Sequence, residues 1–255
     1  MYNVSISTNN LTIGYEHSIV QTDLSFSLMK GEIVCMLGKN GCGKSTLLRT
    51  IAGLQPALSG SYVINSQLSS IPYQASSDRL NHPVNNIALV LTERLILENT
   101  TVHDVVALGR YPYSSFLGGL TDNDEQVIAQ SLADVGLKGV EDSFFNAHSD
   151  GEKQRVLIAK AIAQETPIIL LDEPTAHLDL PNRIKILQLL RRLAHEQGKT
   201  ILISTHELEL AIQLSDRVLL ISENGAQLDT ADNLRQQNAF TKAFGMDIFH
   251  PLQNE

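Results

Sequence analysis

Along the first sixty-odd residues apolar side chains alternate with polar ones, the period of a half-buried strand. VSIS (4–7), LTIGY (11–15) and LSFSL (24–28) follow it, and GSYVI (60–64), set off by Pro56, predicts one more strand. Together these segments predict an antiparallel layer. EIVCML (32–37) is apolar almost throughout, which predicts a strand buried on both faces, and STLLRTIAGL (45–54) behind it predicts a helix ending near Gly53. NNIALVLT (85–92) reads as a short strand. From about residue 95 to 165 the period becomes helical. TVHDVVALGR opens on Thr101 with Asp104 three residues on, and TDNDEQVIAQSLADVG opens in the same way on Thr121 and ends before Gly136. YPYSSFLGGL between them predicts a surface loop, and GEKQRVLIAKAIAQE (151–165) a third, amphipathic helix. Beyond Pro167, IILLD, TILIST and RVLLIS are apolar runs separated by the helical stretches 181–198 and 207–215, with Pro181 in the first turn of the former. Apolar strands joined by helices predict a parallel sheet covered on both faces, an α/β fold. The tail from Asn233 to Glu255 is polar and weakly patterned.

The chain has 255 residues, of which 43% are hydrophobic, so one large α/β domain, or a domain with a sizeable insertion, is expected with a full core. A net charge of −9 argues against a nucleic-acid partner, since binding phosphate backbones rests on clustered Lys and Arg. There is no run of 18 apolar residues and no charged start followed by an apolar stretch, so neither a spanning helix nor a signal peptide is predicted. Two cysteines, Cys35 and Cys42, without a CxxC pair, predict free thiols in a cytosolic setting and no structural metal.

The chemistry concentrates in GKNGCGKST (38–46), which fits the phosphate-loop pattern with Gly38, Gly43, Lys44 and Ser45 in its fixed places. A polyphosphate needs many donors at close range. Backbone N–H groups of Gly38, Lys39, Asn40, Gly41, Cys42 and Gly43 supply them, and glycines let the chain approach without a Cβ in the way. The helix that follows, starting with Lys44, Ser45 and Thr46, turns its N-terminal amides toward the anion. Lys44 is expected on the β- and γ-phosphates and the Ser45 hydroxyl on Mg²⁺. A strand before the loop and a helix after it are the context this motif requires. Asp172, closing the apolar strand IILLD, has the setting of a carboxylate that holds Mg²⁺ through water, and Glu173 follows it. Alone, such a pair can be a solvated strand end. With a phosphate loop upstream, Glu173 becomes the candidate to orient or deprotonate an attacking water.

Four motifs in order, GKNGCGKST (38–46), SDGEKQR (149–155), IILLDEPTAHLD (168–179) and STH (204–206), resemble the nucleotide-binding subunit of an ABC transporter over nearly the whole chain. The resemblance implies a P-loop ATPase core with an antiparallel β layer and an inserted helical subdomain. It also implies ATP and Mg²⁺ as ligands. Tyr15 would stack on adenine, His206 would contact the γ-phosphate, and Asp179 would lie in the loop through which two subunits sense each other. Ser149 and Gly151 would touch the γ-phosphate bound by a second copy, giving a homodimer that sandwiches ATP. His148, Asp150 and Glu152 depart from the usual Leu, Gly and Gln of this signature, and Thr92 or Glu93 stands where a magnesium-binding glutamine is usual. The implied partners are membrane permease subunits and, through them, an extracytoplasmic substrate-binding protein. The implied place is the cytoplasmic face of the membrane. VVALGRYPY (105–113) is similar to subunits serving importers of iron–siderophore, haem or cobalamin. The rival expectation is a soluble ATPase of this fold in DNA repair or iron–sulfur assembly, which would call for a basic groove or a coiled-coil insertion.

Overall fold

The computed structural model describes residues 3–16, 18–65, 70–74, 86–92, 97–113, 119–223 and 225–245. VSIS and LTIGY belong to one strand, β1 (Val4–Tyr15). The polar residues between them, which break the alternation, fall where Asn10 takes φ 44° and the pairing register shifts. An asparagine tolerates that left-handed backbone, so the strand bends there and continues. LSFSL is divided between β2 (Ser18–Leu24) and β3 (Ser27–Met29), both antiparallel to β1. Then come β4 (Ile33–Leu37) and α1 (Lys44–Ile51), followed by β5 (Ser59–Asn65) and β6 (Ser70–Gln74). The antiparallel layer has the order β2-β1-β5-β6, with β3 pairing to β1.

The second sheet contains β4, β7 (Ile87–Val90), β8 (Ile168–Asp172), β9 (Thr200–Ser204), β10 (Arg217–Ser222) and β11 (Gly225–Asp229). Its order is β11-β10-β4-β9-β8-β7, parallel except for the antiparallel edge strand β11. Every residue of β4, β8 and β9 is buried. Successive side chains point to opposite faces, so Ile33, Cys35 and Leu37 enter one core cluster and Val34 and Met36 the other. Each such side chain contributes about 1.5–3 kcal/mol on burial. The cluster holding Val34 also takes Leu47, Leu48 and Ile51 of α1 and Ile6, Leu11 and Ile13 of β1, which ties the antiparallel layer to the phosphate-loop helix.

Between β7 and β8 lie α2 (Val102–Ala107), α3 (Asp122–Asp134) and α4 (Asp150–Ala163). Thr101 and Thr121 are N-caps with complete capping boxes to Asp104 and Asp124, as their spacing predicts. The start of the expected loop differs: Leu108–Tyr113 forms a 3₁₀ helix. Arg110 organises it from a buried position, donating to Asp124 Oδ1 at 2.8 Å, the Ala163 carbonyl at 2.8 Å and Glu165 Oε2 at 2.6 Å. Residues 114–118 of that loop lie outside the described residues. The long helix α5 (Leu180–His195) follows β8 and α6 (Leu208–Leu214) follows β9. The weakly patterned end of the chain carries α7 (Ala231–Gln236) and α8 (Ala239–Phe244). Each is too short to display a helical period, yet Leu234, Ala239 and Phe240 are buried. Among the described residues, no helix is long and apolar enough to cross a membrane.

Candidate nucleotide site

The phosphate loop links the end of β4 to α1. Gly43 is the N-cap of α1 at φ 98°, and a Cβ there would fall 2.6 Å from Val20 Cγ1, so no larger residue fits. Lys44 is buried, and its Nζ donates to the carbonyls of Gly38 at 2.8 Å and Lys39 at 3.2 Å. The ammonium thus stands inside the loop. Gln21 Nε2 of β2 donates to the Cys42 carbonyl at 3.2 Å and fixes the loop from the antiparallel side. Lys39, Asn40 and Gly41 form its exposed tip, while Ser45 is half-buried and Thr46 buried in the first turn of α1. The first amides of a helix have no partner within it, so those of this turn face the loop interior as donors. Both cysteines are free. Burial raises the Cys42 thiol against the pull of Lys44 and pushes Cys35 up to about 12, so both remain neutral thiols.

Parallel register brings the remaining groups to the same edge. Met36 of β4 pairs with Ser204 of β9, and Ser204 pairs with Asp172 of β8. Neighbouring strands are about 4.8 Å apart, so the loop after β4, the turn after β9 and the acidic pair after β8 share one cleft at the strands' C-terminal ends. That is where open parallel sheets bind ligands. Asp172 is buried and accepts a short hydrogen bond on Oδ1 from the Ser204 hydroxyl. The Glu173 amide donates to Ser204 Oγ at 3.0 Å and to the Ser204 carbonyl at 3.1 Å. Glu173 itself takes φ 45°, and its Oε1 lies 3.3 Å from Nδ1 of the exposed His206. Ser204 was not singled out by the sequence, although a serine ending the apolar run TILIS was the available signal. Thr92, just past β7, donates its hydroxyl to the Asp172 carbonyl at 3.0 Å, which leaves the threonine oxygen's lone pairs available. Glu93 lies outside the described residues.

The donor set suits magnesium, which keeps several waters and takes only one or two carboxylates from protein. Asp172 has a second oxygen beyond the one Ser204 engages, and Ser45 offers a hydroxyl on the facing helix turn. No cluster of three or more His, Cys, Asp or Glu able to hold a metal by itself occurs among the described residues.

Ser149, Gly151 and Asp179 are brought together elsewhere. They line one groove with Asn182 and Arg155, and no phosphate-loop residue borders it. Ser149 is the N-cap of α4, and Asp179 caps α5 by accepting from the Asn182 amide at 3.3 Å. Tyr15 stands at the end of β1 with 54% of its surface exposed.

Comparison with known proteins identifies the family. The ABC transporter family model matches residues 21–176. The iron(3+)-hydroxamate import ATP-binding protein of Bacillus subtilis is 37% identical over 219 residues, covering 86% of this chain and 79% of that protein. The achromobactin transport ATP-binding protein of Dickeya dadantii is 36% identical over 229 residues, covering 87% and 80%. Among solved structures, one described as an inward-facing metal-chelate type ABC transporter superposes with a TM-score of 0.80 at 30% identity, covering 95% of this chain and 90% of that one. A dimeric ATP-binding cassette in a post-hydrolysis state with ADP and phosphate gives a TM-score of 0.75 at 26% identity, covering 88% and 98%. A phosphate loop, an acidic strand end and a facing histidine on this sheet, joined to these likenesses, make the chain an ATP-binding subunit of the ABC transporter family.

Proposed function

We propose that this ATPase powers the import of a metal chelate, of the iron–siderophore or cobalamin class, through membrane permease subunits it meets on their cytoplasmic face. Relatives named for hydroxamate, achromobactin and cobalamin transport support the substrate class. An extracytoplasmic protein would deliver the chelate. The helical stretch of about 95–165 is the part we assign to the permease, and the rest of the single domain to nucleotide.

The observation that carries the catalytic reading is the gathering of Asp172, Glu173 and His206 about Ser204 at the sheet edge where the phosphate loop leaves β4. Lys44 and the amides of residues 38–46 grip the β- and γ-phosphates, and Tyr15 stacks on adenine. Asp172 and Ser45 would hold magnesium, and Thr92 would offer a further oxygen. Magnesium, when bound, would supply charge neutralisation on the phosphate oxygens. Glu173 accepts a hydrogen bond from the water in line with the γ-phosphorus and takes its proton as the water oxygen bonds to that phosphorus and the bond to the bridging oxygen breaks, releasing ADP and phosphate. His206 donates to a γ-phosphate oxygen and keeps Glu173 aimed at that water. Ser149 and Gly151 of a second copy complete the pocket from the far side, and Asp179 lies where the two copies meet.

A pull-down from detergent extract tests the transport reading, and recovery of a polytopic membrane protein is expected. Chelate-stimulated ATP hydrolysis by the reconstituted complex would identify the cargo. Recovery of only DNA or soluble scaffold proteins would overturn it.

A further inference from the structure

The hydroxyl assigned above to a partner's phosphate already has an acceptor within its own helix. Ser149 Oγ donates to Glu152 Oε2 at 2.8 Å, the Ser149 amide donates to the same oxygen at 3.0 Å, and the Glu152 amide returns to Ser149 Oγ at 3.3 Å. His148 Nδ1 stands 3.6 Å from that carboxylate oxygen. The imidazole is held in place from behind. Its Nε2 lies 2.6 Å from Ser143 Oγ, whose hydroxyl proton goes to the Val140 carbonyl at 2.5 Å, so Nε2 supplies the hydrogen of that contact. The Ser149 hydroxyl and amide, aided by His148 and Arg155, hold the Glu152 carboxyl below the ordinary carboxylate range. The same groove carries the acidic Asp150 and Asp179 with Arg155 and His177. A carboxylate therefore occupies the Ser149 hydroxyl and amide, donors that a phosphate oxygen would need.

We propose that Glu152 competes with the γ-phosphate held by the partner copy for Ser149, so that this self-cap sets the ATP concentration at which two copies close. The inference rests on the assignment of Ser149 to that phosphate. A hydroxyl has one proton to give, and both claimants are anionic acceptors. They also repel each other at contact distance. Closure therefore requires the Glu152 side chain to leave Ser149.

ATP-driven dimerisation, followed by sedimentation in a Glu173→Gln background, tests this. Ser149→Ala is expected to abolish the dimer. Glu152→Gln keeps an amide oxygen at the cap but removes the charge. It is expected to dimerise at about three- to tenfold lower ATP, with ATP affinity of the dilute monomer unchanged. Glu152→Ala should shift in the same direction. If Ser149→Ala dimerises like its parent, the assignment of Ser149 fails and the competition with it. If Ser149→Ala loses the dimer while both Glu152 variants need as much ATP as the parent or more, the assignment stands and the competition is overturned.

Discussion

Glu173 Oε1 and His206 Nδ1 lie 3.3 Å apart across the ends of two parallel strands. The contact follows from register: Asp172 and Ser204 are paired, so the residues just beyond them emerge side by side. Glu173 reaches it by a turn at φ 45° that costs an ordinary residue about 1–3 kcal/mol. Two hydrogen bonds from its amide to Ser204 hold the turn. Such strain is retained where the side chain must face one direction, here the mouth of the cleft.

Glu173→Gln keeps the shape of that side chain and removes its capacity to take a proton. ATP binding should stay within about twofold of the parent, while phosphate release slows about a hundredfold or more. The variant should also sediment as a dimer in ATP. Turnover within about twofold of the parent would remove Glu173 from the reaction.

Ser204→Ala deletes the hydroxyl that bridges Asp172 Oδ1 and the Glu173 amide. The amide keeps the Ser204 carbonyl at 3.1 Å, so the strand pairing survives. Stability should fall by about 1 kcal/mol. Turnover should drop about tenfold, because an aspartate that has lost its donor and a glutamate on a looser turn both leave their places. Unchanged turnover under saturating ATP and magnesium would show that the bridge does not position them.

How much of this was legible depended on where each signal resides. IILLD, TILIS and IVCML were readable as strands because burial on both faces leaves no polar position in them. The caps at Thr101 and Thr121 were readable because a capping box fits within four residues. The phosphate loop is local in the same sense, and so was found with its strand and helix. Ser204 was missed because its role exists only once β8 and β9 are in register. β2 and β11 were missed because they are edge strands with mixed burial, and α7 and α8 because six residues do not display a period. Arg110 looked like a helix end in a surface turn. Its burial depends on Asp124, Ala163 and Glu165, up to 55 residues away.

That Arg110–Asp124 contact predicts a pH dependence. The Thr121 hydroxyl and amide, with Arg110, lower the Asp124 carboxyl from its ordinary 3.8 to about 2. The folded protein thus releases this proton more readily than the unfolded chain. The stability it adds is fully present above about pH 4 and is lost as pH falls from 3.8 toward 2. Asp124→Asn should therefore melt lower at neutral pH and show a shallower fall in Tm between pH 4 and pH 2. Parallel slopes for the two proteins would exclude Asp124 as a source of that dependence.

Gly151 is held to its size by the chain ahead of Asp179. A Cβ on Gly151 would come 2.9 Å from the His177 carbonyl oxygen and 3.5 Å from Leu178 Cδ2. The first of these is closer than a side-chain carbon tolerates, and backbone cannot swing aside as a flexible side chain can. Gly151→Ala must therefore part the start of α4 from the loop that carries Asp179, at a cost of about 1–3 kcal/mol. The two surfaces assigned to the second copy would then be displaced from each other. Binding of ATP to the monomer should be preserved, since Lys44 and its loop do not border this groove. Dimerisation in ATP should be lost, and hydrolysis with it. If Gly151→Ala dimerised at the parent's ATP concentration with the parent's Tm, the close packing of α4 on this loop would have no part in bringing the copies together.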